Sequence, residues 1–199
     1  MVDFKLFGVK FSVSIGFLCV ITIMLYLDKT GYMMPTLEAV LLHETGHILA
    51  LKILKQPPDR VELKIGSIAL NGRYNLNNMG TAIMLFSGPM ANFTASLLLF
   101  SGYKYCGKEV LLVNCIIMLI VGIYNLLPIT GLDGGELTAL FLIRIFGENV
   151  GRKTQKTIGI IFSCLLLLFG AFVCLDSKKN PSLLLFAIYL LVCSLKSKD

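Results

Sequence analysis

Apolar runs recur along the whole chain, several about as long as the roughly 20 helical residues needed to cross a hydrocarbon core of about 30 Å. Six candidate spans fall near residues 9–27, 35–55, 81–102, 110–131, 157–175 and 181–195. A hydrophobic content of 56% and a mean hydropathy of +0.79 over 199 residues agree with bilayer as the main solvent. The expected fold class is therefore an all-α polytopic membrane protein with about six transmembrane helices, embedded as a single unit over residues 1–199. No separate soluble regulatory domain is expected. Lys5 and Lys10 before the first apolar stretch also suit a secretory signal, but no small-residue cleavage site comes after it, so this stretch is read as a span.

The formal charge of +6 has no aromatic-interleaved basic patch behind it, so nucleic acid is not an expected partner. Topology explains the bias better. With a cytosolic N-terminus and six spans, only Lys29, Lys104, Lys108, Lys178 and Lys179 fall outside, and every other lysine and arginine faces the cytosol. Both termini are expected to be cytosolic. The six cysteines form no CxxC pair and lie mostly in apolar runs, as small apolar residues do.

One segment breaks the helical pattern. Val61, Leu63 and Ile65 alternate with Glu62 and Lys64, and Gly66, Asn71 and Gly72 punctuate the stretch beyond them. Residues 61–74 are expected to form a short extended, β-like segment between the second and third spans, or else an amphipathic loop at the interface.

The chain has only two histidines, and both lie in His43-Glu44-Thr45-Gly46-His47. On a helix, residues i and i+4 share a face, so two imidazoles can reach one zinc ion while the intervening glutamate addresses the attacking water. Ala39 to Leu42 precede the motif and Ile48 to Leu51 come after it, which embeds it in an apolar helix. Burying two histidines and a glutamate there costs several kcal/mol unless they are paired or metal-bound.

A catalytic zinc site takes three protein ligands and keeps a fourth position open. With no third histidine and no thiol cluster, a carboxylate is the natural third ligand. Asp133, after Asn125-Leu126-Leu127-Pro128, is favoured over Glu136, with Pro128 and the nearby glycines expected to break the helix and turn the carboxylate inward. A plainer role for Asp133 is to cap a helix over residues 135–147.

Together these motifs resemble the site-2 protease family of intramembrane zinc metalloproteases. His43 to His47 matches its H-E-x-x-H, and Asn125, Pro128, Asp133 and Gly134 match its N-x-x-P-x-x-x-x-D-G. The six-span layout and the N-L-L-P and L-D-G-G runs look most like its stage IV sporulation FB group, whose members often carry a further soluble domain. The resemblance implies that His43, His47 and Asp133 bind Zn2+ and that Glu44 is the general acid/base. Gly88-Pro89-Met90-Ala91-Asn92 is similar to the family's G-P-x-x-N. Asn92, Asn125 and Pro128 then belong to the substrate side of the site, the two amides orienting substrate backbone or polarising its carbonyl; plain interhelical hydrogen bonding is the other role for Asn92.

The implied partners are a membrane-anchored or membrane-associated protein substrate, in the sporulation group a sigma-factor precursor, and inhibitory membrane proteins. A membrane protease with a downstream E-x-x-x-D ligand run does not fit Asp133-Gly134. A metal transporter or metal-binding scaffold is the other class of reading. It would spread ionisable residues along several spans, whereas here they gather in one motif plus Asp133.

Overall fold

In the computed structural model the described residues are 2–6, 9–28, 30–64, 67–72, 74–177 and 182–196. Ile65, Gly66, Lys29, Arg73, Lys178, Lys179 and Lys198 lie outside them. The chain divides into two compact units, Met1–Gly122 and Ile123–Asp199.

The first unit opens with strands, not with a span. β1 (Val2–Leu6) and β2 (Val9–Val13) form an antiparallel hairpin, and α1 (Ile15–Leu27) starts only after Ser14. The apolar run from residue 9 is split because Val9, Phe11 and Val13 alternate with Lys10 and Ser12, the period of a half-buried strand. Ser14 then caps the helix, its Oγ accepting the Phe17 amide at 3.1 Å.

At the far end of α1, Asp28 builds the turn into α2 (Met33–Ile53). One carboxylate oxygen accepts the Thr30 hydroxyl at 2.6 Å and the Thr30 and Gly31 amides, and the other accepts the Met33 amide at 2.9 Å. The α1–α2 pair is the crossover that a parallel strand connection requires. Accordingly β3 (Arg60–Lys64) pairs parallel with β2 and β4 (Ser67–Asn71) pairs antiparallel with β3, giving the order β1-β2-β3-β4. The extended segment expected after the second helix is therefore present, as half of a mixed four-stranded sheet. Asp3, Ser12 and Glu62 are register partners, and Arg60 joins this row by donating to Ser12 Oγ at 2.7 Å and lying 3.4 Å from Asp3 and 3.5 Å from Glu62.

α3 (Asn78–Cys106) begins with Asn77 Oδ1 accepting the Gly80 amide at 2.7 Å, and α4 (Glu109–Asn125) comes after the left-handed Gly107. Glycines set how closely these helices pack. A Cβ on Gly46 would stand 2.5 Å from the Ser87 carbonyl oxygen, and one on Gly122 would stand 2.6 Å from the Phe93 ring, so α2 meets α3 nearly at backbone distance, while Gly122 of α4 makes room for the Phe93 side chain. Ser96 adds a cross-helix bond, its Oγ donating to the Cys115 carbonyl at 2.9 Å.

The second unit comprises α5 (Asp133–Phe146), α6 (Glu148–Ser177) and α7 (Ser182–Lys196), with α6 packed on both α5 and α7. Its core is Ile129, Leu132 and Leu190, flanked by Tyr124, Leu127 and Leu166. Ser163 and Ser194, both fully buried, meet across α6 and α7 at 3.4 Å.

The expected six spans are corrected by helix length and polarity. Two described helices are long and apolar enough to cross a membrane, Asn78–Cys106 and Glu148–Val173. With 13, 17 and 15 residues, α1, α4 and α7 extend only about 20, 25 and 22 Å at 1.5 Å per residue, less than a full hydrocarbon core. α2 has 21 residues but carries Glu38, His43, Glu44, His47 and Lys52, which lower its hydropathy.

Candidate metal centre

The first unit assembles the histidine pair. His43 and His47 lie one turn apart on α2, 4% and 5% exposed, with their rings edge to face at 4.8 Å and their Nε2 atoms 3.1 Å apart. Two nitrogens at the usual 2.0–2.1 Å from a tetrahedral zinc stand about 3.3 Å apart, so the pair converges as two ligands of one ion do.

His47 is fixed from α3. Its Nδ1 donates to the Met84 carbonyl at 2.8 Å, which leaves the Nε2 lone pair for a metal. The same carbonyl accepts Ser87 Oγ at 2.6 Å, and that hydroxyl lies 3.5 Å from Nδ1. Pro89 stands inside α3 and has no amide hydrogen, so the helix is loosened beside this contact.

Gly88 keeps the space over the pair open. A Cβ there would fall 2.5 Å from His47 Nε2 and 2.7 Å from His43 Nε2. No side chain can share that volume with a metal, and the two imidazoles face a cradle walled by bare backbone. This is the fit that a bound ion needs. Glu44, the next residue after His43, is half-buried. One turn beyond Gly88, Asn92 is 0% exposed, and neither its amide nitrogen nor its amide oxygen has a hydrogen-bond partner among the described residues.

The second unit holds the other motif. α4 ends at Asn125 and the chain reverses over residues 126–132, with Ile129 N donating to Leu127 O at 2.7 Å and Leu132 N to Ile129 O at 3.1 Å. Gly131 has φ +94°, a conformation L side chains rarely adopt. Asn125 and Pro128 are half-buried beside this turn.

Asp133 is the first residue of α5. Leu132 occupies the cap position without a side-chain bond, so Asp133 neither ends the fourth span nor caps a helix beginning at residue 135. Being acidic in the first turn suits its charge to the positive end of the helix. Gly134 and Gly135 do not break the helix, contrary to the expectation from sequence. They lie within α5, where a Cβ would collide with the carbonyls of Leu126 and Ile129 respectively, so they press the helix start onto the turn. Between the two carboxylates weighed as third ligand, Asp133 is half-buried and Glu136 is exposed.

The fold and this chemistry define a class: a mostly helical chain with a small mixed sheet and an H-E-x-x-H pair on one helix. Known proteins of this class resemble the chain. Residues 105–169 match peptidase family M50. Over 180 residues, 84% of this chain, the sequence is 23% identical to zinc metalloprotease MJ0392 of Methanocaldococcus jannaschii, and it spans about half (52%) of that relative's length. The fold matches the solved site-2 protease from Methanocaldococcus jannaschii with a TM-score of 0.69 at 20% identity, covering 100% of this chain and 95% of that one. The chain is thus similar in part of its sequence to peptidase family M50 and to a zinc metalloprotease, and in its fold to a site-2 protease.

Proposed function

We propose that the chain is an intramembrane zinc metalloprotease that hydrolyses a peptide bond in or beside a membrane-embedded segment of a substrate protein. The observation that carries this is the pair of Nε2 atoms 3.1 Å apart beneath Gly88. The likeness of the chain's two motifs to the family's supports His43, His47 and Asp133 as the three ligands. Two imidazoles and a carboxylate are a known catalytic zinc donor set.

When bound, zinc lowers the pKa of a coordinated water towards about 7 and polarises the carbonyl to be attacked. The rest falls to side chains. Glu44 accepts the proton of the attacking water and returns it to the leaving amine. Asn92, buried with an unpaired amide, and Asn125, beside the turn that carries Asp133, orient the substrate backbone, while Pro128 shapes that turn.

A substrate helix must open before its carbonyl can be reached, and an unwound strand can add to an exposed sheet edge. β3 is paired on both sides, so among the described residues of 61–72 it is the outer edge of β4 that offers this pairing. The likeness to the sporulation FB group supports a sigma-factor precursor as substrate and inhibitory membrane proteins as partners.

The test is co-expression with membrane-anchored candidate substrates, followed by a search for a fragment that Glu44→Gln abolishes. Fragments that persist at the wild-type level in the variant would refute the assignment.

A further inference from the structure

Gln155 is out of character with its surroundings. It lies in the polar first half of α6, where Arg152 and Lys153 are exposed, yet it is only 7% exposed itself. A primary amide is buried at a loss unless it is hydrogen-bonded. Its partner lies in the turn before α5, where Thr130 Oγ1 donates to Gln155 Oε1 at 3.4 Å.

α6 carries glycine one turn to either side. A Cβ on Gly159 would stand 3.2 Å from Thr130 Oγ1, 3.3 Å from Thr130 N and 3.5 Å from the Pro128 carbonyl oxygen. One on Gly151 would stand 2.6 Å from Ile143 N and 2.7 Å from Ile143 Cα. α6 therefore lies against the turn at Gly159 and against α5 at Gly151, and Gln155 is the side chain that reaches out between them. On its other side the turn is gripped by Gly134 and Gly135, which press on Leu126 and Ile129. Asp133 leaves the turn three residues after Thr130.

We propose that Gln155 is a positioning residue for the metal carboxylate: by holding Thr130 it fixes the 128–132 turn and so the place of Asp133. The inference rests on Asp133 being a metal ligand. Metal–ligand distances are held within about 0.2 Å, so a turn free to shift by more than that weakens the ligand without unfolding the helix that bears it. The contact acts on Asp133 through the backbone and touches neither substrate nor metal.

The test uses the full chain, zinc-loaded in detergent, as wild type, Gln155→Leu, Thr130→Val, the double variant, Thr130→Ser and Asp133→Asn. Zinc loss to a colorimetric chelator is timed, and Tm is measured with zinc and with excess chelator. Gln155→Leu and Thr130→Val should each lose zinc about ten-fold faster, the low end of the range for groups that support a metal ligand. The double variant should be no faster than either single one, because both remove one contact.

Thr130→Ser keeps the hydroxyl and should behave as wild type. In chelator the Tm of Gln155→Leu should equal that of wild type, while the rise on adding zinc is smaller. Equal Tm losses with and without zinc would make Gln155 a packing residue and overturn the proposal. Wild-type zinc retention in both single variants, beside rapid loss in Asp133→Asn, would overturn it too. Should Gln155→Leu fail to fold, Thr130→Val carries the same test alone. If Asp133→Asn keeps its zinc, the metal reading itself falls, and this inference with it.

Discussion

Gly88→Ala tests the metal centre with a single methyl group. The new Cβ would stand 2.5 Å from His47 Nε2, where ordinary contact begins near 3.4 Å, so the ring must withdraw by about 0.9 Å. That is several times the roughly 0.2 Å by which a zinc–ligand distance varies. Relief is hard to find. The His47 ring is tethered through Nδ1 to Met84, and His43 Nε2 is itself only 2.7 Å from the same methyl.

Moving the whole of α2 away from α3 would open the close approach at Gly46 and Ser87. Overpacking of this kind costs about 1–3 kcal/mol. Against it stands a gain of about 1 kcal/mol in helix propensity on replacing glycine by alanine. The metal-free protein should therefore remain folded, destabilised by no more than about 2 kcal/mol. Zinc affinity should fall by at least about 100-fold, because a ligand itself is displaced. Competition against chelators of graded strength measures the affinity, and thermal unfolding in excess chelator measures the fold. A Gly88→Ala protein that binds zinc as wild type does would refute the geometry on which the centre is built.

Glu44→Gln should retain zinc, because the ligands are untouched, while cleavage falls by about 10²–10⁴-fold for loss of a general base; metal content and fragment yield measured on one sample check this. Asp133→Asn should weaken zinc binding, whereas Glu136→Gln, exposed in the same first turn, should leave it within about two-fold; a zinc titration showing the reverse would move the third ligand to Glu136. Hydrogen bonds, that of the Thr30 side chain foremost, hold the Asp28 carboxyl down at about 2, against 3.8 when free. Its contribution to the α1–α2 turn is then complete above about pH 4 and lost as pH falls through about 2, a loss that Asp28→Asn should not show in acid unfolding followed by circular dichroism.

How far the fold could be read depended on which period dominated each segment. The helices of residues 33–53, 78–106 and 109–125 were legible because long apolar runs outlast any strand. Val61 to Lys64 was legible as extended because its alternation stands between two turn signals. The same alternation in Val9 to Val13 went unread, since it runs without a break into the apolar residues of α1, and only Ser14 marks the change. Nor could the sequence say that β2 and β3 pair in parallel across two helices, because that register is set by the length and reversal of α1 and α2 rather than by local residues. Counting spans failed for a related reason. Hydropathy sees an apolar run but not the helix length left once strands and turns have taken their share, and Leu126 to Leu132 takes that share from the fourth run.

The chemistry was more legible than the scaffold, and unevenly so. His43, Glu44 and His47 announce themselves because i, i+4 spacing is already a geometry. Met84 does not, because its carbonyl would be the same on any residue, and Gln155 does not, because a glutamine among arginine and lysine on α6 reads as surface. Spacing favoured Asp133 over Glu136 only weakly, since both stand within one turn of the same helix start. What separates them is the glycine pair. By drawing the start of α5 against the carbonyls of Leu126 and Ile129, Gly134 and Gly135 half-bury the carboxylate just before them and leave the one just after them exposed. An alanine at either glycine should therefore disturb zinc binding more than Glu136→Gln does, although neither glycine bears a donor atom. If both alanine variants bound zinc as tightly as wild type, the D-G-G run would be a feature of packing alone, and burial would no longer favour Asp133.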